Sequence, residues 1–287
     1  MNKEIYLCFD IGATTTKVVL MEKETLQILE RDSFLTKLNN KFNFENLKNL
    51  IYKKINNVLK KYQILGIGIA STGSVNMDTG EIIYTNDQMK GYAGTSWKKL
   101  ISKDFNIETI VLNDVKAAGI AEFSVRKVTS GVLVTLGSGF AATIFINNTL
   151  YKGTNFSAGE IGQMVWPYDN KETVDSACSV VIATNKIKTL INDNSFILSE
   201  DEKISKNEEA KKIKSQLMFN IAEIFKIINY FYDPEIFIVG GGISKYSQTL
   251  TEIVKNLPSD FKKIELAKYF NDAAFYGLVK TLQKNKS

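Results

Sequence analysis

Apolar runs that stop at glycine and small polar residues set the rhythm of this chain. Ile5 to Phe9 is an apolar run that ends at Asp10, Gly12 and a threonine triplet, which predicts a buried strand opening into a turn. Val18 to Met21 continues as a second strand and Leu26 to Phe34 as a third, so an antiparallel meander is expected at the start. Asn43 to Tyr62 carries helical spacing, with Phe44, Leu47, Ile51, Ile55 and Leu59 on one face. Leu65 to Ala70 reads as a strand before the turn-rich Ser71-Thr72-Gly73-Ser74, and Glu81 to Tyr84 as a short strand after a turn at Asn76 to Gly80. Trp97 to Asp104 is expected to be helical, Thr109 to Leu112 a strand ending at Asn113-Asp114, and Val115 to Lys127 a helix.

The pattern then restarts. Val132 to Leu136 is a strand ending at Gly137-Ser138-Gly139, Ala142 to Ile146 another, and Asn147-Asn148 a hairpin turn before Thr149 to Tyr151. Helices are expected over Thr173 to Asn192, Asn207 to Tyr232, Ser244 to Asn256 and Asp272 to Lys284, and Ile236 to Val239 is a strand running into Gly240-Gly241-Gly242. Strand, glycine turn and strand thus occur twice, near residues 5–21 and 132–151. The natural reading is a duplicated α/β fold: a smaller domain of residues 1–114 joined by a last helix at 272–287, and a larger one of residues 115–271, with a cleft between them. The polar stretch Asn194 to Asn207 is the expected mobile loop.

Composition narrows the chemistry. The 287 residues are 44% hydrophobic and 23% charged, ordinary for a globular chain able to bury a core unaided. The net charge of +5 rests on lysine; Arg31 and Arg126 are the two arginines, and the lysines are scattered as solvated helix faces would have them. A nucleic-acid partner is therefore not expected. No apolar stretch approaches the roughly 20 residues of a membrane span and no leader-like segment is visible, so a cytoplasmic location without a membrane partner is expected. Cys8 and Cys178 lie far apart with no CxxC spacing, which argues against zinc and iron–sulfur sites and for a reducing compartment. Histidine is absent, so any general base must be a carboxylate, or a lysine, tyrosine or cysteine of shifted pKa.

Four segments can carry chemistry. In Asp10-Ile11-Gly12-Ala13-Thr14-Thr15-Thr16-Lys17, backbone amides and threonine hydroxyls can donate to phosphate oxygens, while Asp10 at the strand end can hold Mg²⁺ through water. A plain hairpin with a polar tip has the same pattern. Gly137-Ser138-Gly139 repeats that context, and Gly240-Gly241-Gly242 leads a strand into a helix, where a nucleotide can approach closely. There is no G-x-x-x-x-G-K-[ST] loop of the Walker type. Asn113-Asp114 stands at a strand end before a helix: Asp114 can accept a proton from a hydroxyl, and it can equally be an ordinary helix cap.

The order of these segments resembles that of the actin-like sugar kinases, and within them the ROK family of repressors, open reading frames and kinases, over essentially the whole chain. Asn113-Asp114-Val115-Lys116-Ala117-Ala118 is similar to the family's N-D-x-N-A-A, and Gly159-Glu160-Ile161-Gly162-Gln163 to its G-E-x-G-H. The resemblance implies two ribonuclease-H-like α/β domains with mixed sheets flanking a cleft, and transfer of a phosphoryl group from Mg·ATP to a sugar. It implies Asp114 as catalytic base, Asn113 as sugar ligand and Glu160 as a binder of sugar hydroxyls. Asp10, Gly12, Thr14, Thr15, Lys17, Gly137, Ser138, Gly139, Gly241 and Gly242 would surround the nucleotide. A homodimer is usual for the family.

The departures from the family pattern are informative. Gln163 stands where the family has a zinc-binding histidine, and Met164 to Glu172 lacks the cysteine cluster that follows, so a zinc-less member is expected. Asp175 loosely takes the place of the acidic sugar ligand after that cluster, and Ala141 and Ala142 replace later glycines of the second phosphate segment. Ser71-Thr72-Gly73-Ser74-Val75-Asn76 departs from the P-G-P-V-D of glucokinases and resembles the S-T-G loop of N-acetylmannosamine kinases, which adds Gly73 and Ser74 to the expected sugar contacts; Gln163 joins them because the family's histidine at its place also contacts the sugar. The expected reaction is 6-phosphorylation of N-acetylmannosamine in sialic-acid catabolism, with glucose, fructose or a β-glucoside as alternative acceptors. A ROK repressor would need a helix-turn-helix domain before Ile5, and an activator ATPase sharing D-x-G-x-T-T-T-K would need cluster-binding cysteines; neither is visible.

Overall fold

Strand β1 (Lys3–Ile11) is apolar along its middle because both of its faces are covered. Ile5, Leu7, Phe9 and Ile11 enter one core with helix α1 (Phe44–Leu59) and α2 (Trp97–Phe105). Tyr6 and Cys8, on the alternate side of the pleat, enter another with α3 (Asp114–Phe123) and the C-terminal helix α9 (Ala273–Lys284). The computed structural model describes residues 3–85, 87–242 and 247–285. They fall into two units. The first comprises Met1–Ser124, Gly153–Ser157 and Asp272–Ser287, and the second Val125–Lys152 and Ala158–Asn271. Helix α3 thus goes whole with the first unit, past the border after residue 114 read from the sequence, because it packs on α9.

The first unit holds a five-stranded sheet of order β3-β2-β1-β6-β9, with β2 at Thr15–Glu22, β3 at Ile28–Leu35, β6 at Tyr62–Ser71 and β9 at Thr109–Asn113. β1 runs antiparallel to β2, and parallel to β6, which is parallel to β9. Short hairpins pair β4 (Lys37–Leu38) with β5 (Lys41–Phe42) and β7 (Ser74–Asn76) with β8 (Glu81–Tyr84).

The second unit repeats the scheme with β10 (Gly131–Leu136), β11 (Phe140–Ile146), β12 (Thr149–Leu150), β15 (Ile236–Gly240) and β16 (Lys263–Leu266), in the order β12-β11-β10-β15-β16. β10 is antiparallel to β11 and parallel to β15, as β1 is to β2 and β6. The duplication read from glycine-ended strands is therefore present in strand order and direction. Two asparagines at positive φ, Asn147 and Asn148, turn β11 into β12. A two-stranded ribbon of β13 (Val165–Trp166) and β14 (Asp169–Thr173) leads into the helices.

Three expectations are corrected here. The helix over Thr173 to Asn192 is two helices, α4 (Val174–Ala177) and α5 (Val180–Ile191), because the Ser179 hydroxyl accepts the Ile182 N–H at 3.1 Å and starts a new helix. The helix expected to reach Lys127 stops at Phe123, where the Ser124 hydroxyl donates to the Ala121 carbonyl. The stretch Asn194 to Asn207, expected to be mobile, buries Phe196, Leu198 and Ile204 and forms the short helix α6 (Asp201–Ile204). Its polar residues hold it down: Lys203 bonds Asp193 at 3.0 Å, and the carboxylate of Glu200 accepts the Ile197 N–H at 2.8 Å. The long helix α7 (Glu208–Tyr232) follows, capped by Asn207. Of the helix expected over Ser244 to Asn256, residues 244–246 lie outside the described residues, and α8 spans Ser247–Val254. Among the described residues, no helix is long and apolar enough to cross a membrane.

Candidate active site

In the first unit, the carboxyl ends of parallel strands β1, β6 and β9 lie side by side, with Asp10 in register with Ala70, and Ser71 with Asn113. Ligands of open α/β sheets bind at such ends. Asn113 closes β9 and caps α3: its Oδ1 accepts the Lys116 N–H at 3.0 Å. The cap is therefore Asn113, and Asp114 is the first helical residue, where the helix dipole favours its charge. Asp114 is half-buried, and its Oδ1 accepts from its neighbour's Asn113 Nδ2 at 3.1 Å and from the Val115 N–H at 3.0 Å. The second Asn113 Nδ2 hydrogen goes to the Gly73 carbonyl at 2.9 Å. Asn113, 6% exposed, thus spends its amide on holding Asp114 and the 73–74 turn.

Gly73 sits at φ 87°, and a Cβ there would stand 3.2 Å from the Tyr84 carbonyl carbon and nearer still to its oxygen, a position no side chain fits. Under this turn the fully buried Tyr92 hydroxyl bonds Ser71 Oγ at 3.0 Å and accepts from Trp97 Nε1 at 2.8 Å. Ser74 is buried beside them in sequence. At the β1–β2 turn, the Gly12 N–H donates to Thr15 O at 3.2 Å, Thr14 is exposed and Thr15 half-buried. Thr16, which the sequence reading grouped with the turn, is buried and bonds Thr36 Oγ1 at 2.8 Å. Asp10 pairs with the half-exposed Lys17 ammonium at 3.0 Å. A carboxylate already holding one cation at a strand end fits the single carboxylate that Mg²⁺ uses alongside water and phosphate.

In the second unit, the turn Gly137-Ser138-Gly139 is gripped by the start of α5. The Ser179 hydroxyl donates to Ser138 O at 2.8 Å and the Val181 N–H to Gly137 O at 3.2 Å. The end of β15 closes on the same place: Gly241, at φ 82°, lies so near β10 that a Cβ would stand 2.9 Å from the Leu136 nitrogen. Gly137 and Gly242 face open space, and Ser138 is exposed. The Gly159–Gln163 turn, with a short 3-10 stretch at Ile161–Gln163, presents Glu160 half-buried and Gln163 exposed. Asp175 turns inward: its Oδ1 accepts the Phe140 N–H at 2.7 Å.

The structure thus gathers Asp10, Gly12, Thr14, Thr15, Lys17, Gly73, Ser74, Asn113 and Asp114 at the strand ends of one unit. It gathers Gly137, Ser138, Gly139, Glu160, Gln163, Asp175, Gly241 and Gly242 around the glycine turns of the other. Two contributors were not singled out from sequence. Ser179 was hidden inside a supposed continuous helix. Lys116, 1% exposed, sends its ammonium to the Phe156 carbonyl at 2.8 Å and holds Gly153–Ser157 on the first unit; one lysine among many gives no signal. Burial pushes the Cys8 and Cys178 thiols and the Tyr92 phenol up to about 12, which removes these three groups as bases near neutrality. Among the described residues, no three or more His, Cys, Asp and Glu gather as a metal cluster.

A duplicated α/β fold with paired glycine turns at the ends of parallel strands defines an actin-like architecture. The sequence pattern of the ROK family matches residues 6–283, and the chain belongs to that family. A glucokinase of Halalkalibacterium halodurans is 26% identical over 325 residues, covering 96% of this chain and 94% of its own. A Listeria monocytogenes protein, Lmo2764, for which N-acetylmannosamine kinase activity has been suggested, superposes with a TM-score of 0.85 at 18% identity, over 99% of this chain and 100% of its own. A ROK glucokinase of Streptomyces griseus solved with glucose and AMPPNP superposes with a TM-score of 0.80 at 18% identity, over 98% and 99% of the two chains.

Proposed function

We propose that the protein is an ATP-dependent sugar kinase acting on the 6-hydroxyl of N-acetylmannosamine. The observation that carries the kinase reading is Asp114: a carboxylate on the first turn of α3, at the end of a parallel strand, with its geometry fixed by the Asn113 amide and the Val115 N–H. One oxygen is oriented by those donors, and Asp114 takes the proton of the attacking hydroxyl. Asn113 works through Asp114 and the Gly73 carbonyl, setting the base and the 73–74 turn together. Glu160 and Gln163, in the second unit, offer a carboxylate and an amide to sugar hydroxyls.

Gly12 to Thr15 in the first unit and Gly137 to Gly139 in the second each offer backbone amides and hydroxyls to phosphate oxygens, and Gly241 and Gly242 leave room for a nucleoside. Asp10 is the residue that would hold Mg²⁺, and Lys17, which pairs with it at 3.0 Å, would be the cation next to it for a phosphate oxygen. When bound, the ion would neutralise charge on the phosphates. Transfer of the phosphoryl group asks the protein mainly for alignment and electrostatic support.

N-acetylmannosamine is favoured by the Ser71-Thr72-Gly73-Ser74 loop and by the fold likeness to Lmo2764. A coupled ADP-release screen with N-acetylmannosamine, N-acetylglucosamine, glucose, mannose and fructose tests it. The highest kcat/KM is expected with N-acetylmannosamine; a higher value with glucose or fructose overturns the substrate, and no ADP release with any sugar overturns the kinase. Zinc chelation is expected to leave the rate unchanged, and removal of Mg²⁺ to abolish it.

A further inference from the structure

Asp175 stands where the sequence suggested an acidic sugar ligand, yet its carboxylate is turned to the protein's own backbone. Oδ1 accepts the Phe140 N–H at 2.7 Å, at the point where the Gly137–Gly139 turn re-enters β11. The same carboxylate fills the space in which side chains at two glycines would have to sit. A Cβ on Gly139 would stand 2.8 Å from Asp175 Cγ, and one on Gly162 would stand 2.6 Å from it, nearer still to the carboxylate oxygen in both cases. Gly162 belongs to the Gly159–Gln163 turn, so one carboxylate is wedged between two loops. Thr173 and Ser176 cap α4 reciprocally and hold Asp175 on its first turn.

We propose that Asp175 is a positioning residue that fixes the Gly137–Gly139 turn and the Gly159–Gln163 turn to each other, so that nucleotide affinity and sugar affinity depend on the same side chain. This rests on the functional reading above, in which the first turn receives phosphate and the second receives sugar hydroxyls. The arrangement has a chemical logic. An aspartate reaches the Phe140 amide with a short stem, whereas a glutamate would bring one more methylene into space already closed by two glycines. An oxygen committed to a backbone N–H orders the turn before a ligand arrives, and this lowers the cost of binding.

The test uses the full chain and four variants: Asp175→Ala, Asp175→Asn, Gly162→Ala and the double variant of Gly162→Ala with Asp175→Ala. ADP binding without sugar and N-acetylmannosamine binding without nucleotide are measured by titration calorimetry, alongside KM and kcat. Asp175→Ala is expected to weaken both ligands, each by about tenfold, because displacement of a binding turn by a fraction of an ångström acts on every contact it makes. Asp175→Asn keeps an oxygen for the Phe140 N–H and is expected to recover most of the ADP affinity. Gly162→Ala presses on both the Asp175 carboxylate and the Phe140 carbonyl and is expected to weaken ADP as well, although residue 162 is outside the phosphate turn; an equal loss of ADP affinity in Gly162→Ala and in the double variant with Asp175→Ala assigns that loss to the Phe140 contact and overturns the role of the carboxylate. Loss of sugar affinity with ADP binding unchanged in Asp175→Ala would make Asp175 a direct sugar ligand and overturn the proposal, as would unchanged binding of both. ADP affinity that responds as described in a protein that phosphorylates no sugar would sink the kinase reading and leave the joined turns standing.

Discussion

Gly277→Ala sets two effects of one methyl group against each other. On an exposed helix the change stabilises by about 1 kcal/mol, since alanine is the better helix former. In α9, however, a Cβ at 277 would stand 2.6 Å from the carbonyl carbon of Ala117 on α3, and nearer still to its oxygen. Both are backbone atoms and cannot swing aside. Ordinary carbon–carbon contact lies at about 3.5–4.0 Å, so the two helices must part by about 1 Å. Such overpacking costs about 1–3 kcal/mol, and the parting loosens the core in which Phe275, Leu278 and Ala117 meet Tyr6 and Cys8. With the loosened core counted against the helix gain, the net expectation is a loss of about 1–2 kcal/mol, and at roughly 2–4 °C per kcal/mol for a chain of this order a melting temperature lower by about 2–8 °C. Because Asp114 is the first residue of α3, the same displacement is expected to lower kcat by about tenfold or more. Scanning calorimetry and the coupled ADP assay read the two effects separately. A melting temperature equal to or above that of the parent refutes the close-packing argument; a lower one with unchanged kcat refutes the link from α9 to Asp114.

Other expectations concern the base, a buried charge and alkaline pH. Asp114→Asn is expected to keep sugar affinity within about threefold and to lose turnover by about a hundredfold or more, as removal of a general base does; near-parental kcat removes Asp114 from that role. Lys214, whose side chain is 5% exposed, bonds Glu252 at 2.8 Å and also Asp201, tying α6 and α8 to α7. Lys214→Met leaves those carboxylates without their shared cation and is expected to cost about 2 kcal/mol in urea unfolding, less than a fully buried triad because Asp201 is 45% exposed. Burial raises Cys8 and Cys178 from 9.0, and Tyr92 from 10.0, to about 12. The stability held by their neutral forms is complete below about pH 9 and is lost as pH rises through about 12; urea midpoints that stay level from pH 8.5 to 11.5 contradict this. Neither thiol is expected to react with a disulfide reagent in the native protein, and both are expected to react in urea.

The sheets were legible because their strands are short apolar runs ended by glycine: Val132 to Leu136 and Ile236 to Val239 lie within β10 and β15. Helices were legible where one face is apolar, as with Leu47, Ile51 and Ile55 of α1. What failed were boundaries decided by a single hydroxyl, as at Ser179, and order decided by burial at a distance, as for Phe196 and Leu198 in a polar stretch. In the candidate site, residue types at strand ends could be read, but their partners could not. Asn113 carries the same letters whether its amide meets a sugar or, as here, the Gly73 carbonyl and the Asp114 carboxylate. Asp175 likewise gives no sign in sequence that it faces the Phe140 amide.

The packing of α9 on the β1–β6–β9 face has a consequence for synthesis on the ribosome. The side of the first sheet that carries Tyr6, Cys8, Val19 and Met21 is roofed by Phe275, Leu278, Val279 and Leu282. The earliest strands to emerge therefore wait for the latest helix, roughly fifteen to fifty seconds at ordinary translation speeds. Throughout that interval an oily surface stands open to chaperones, while the second unit, encoded in between, gains its strands from β10 to β16 before α9 is made. The half begun first is finished last.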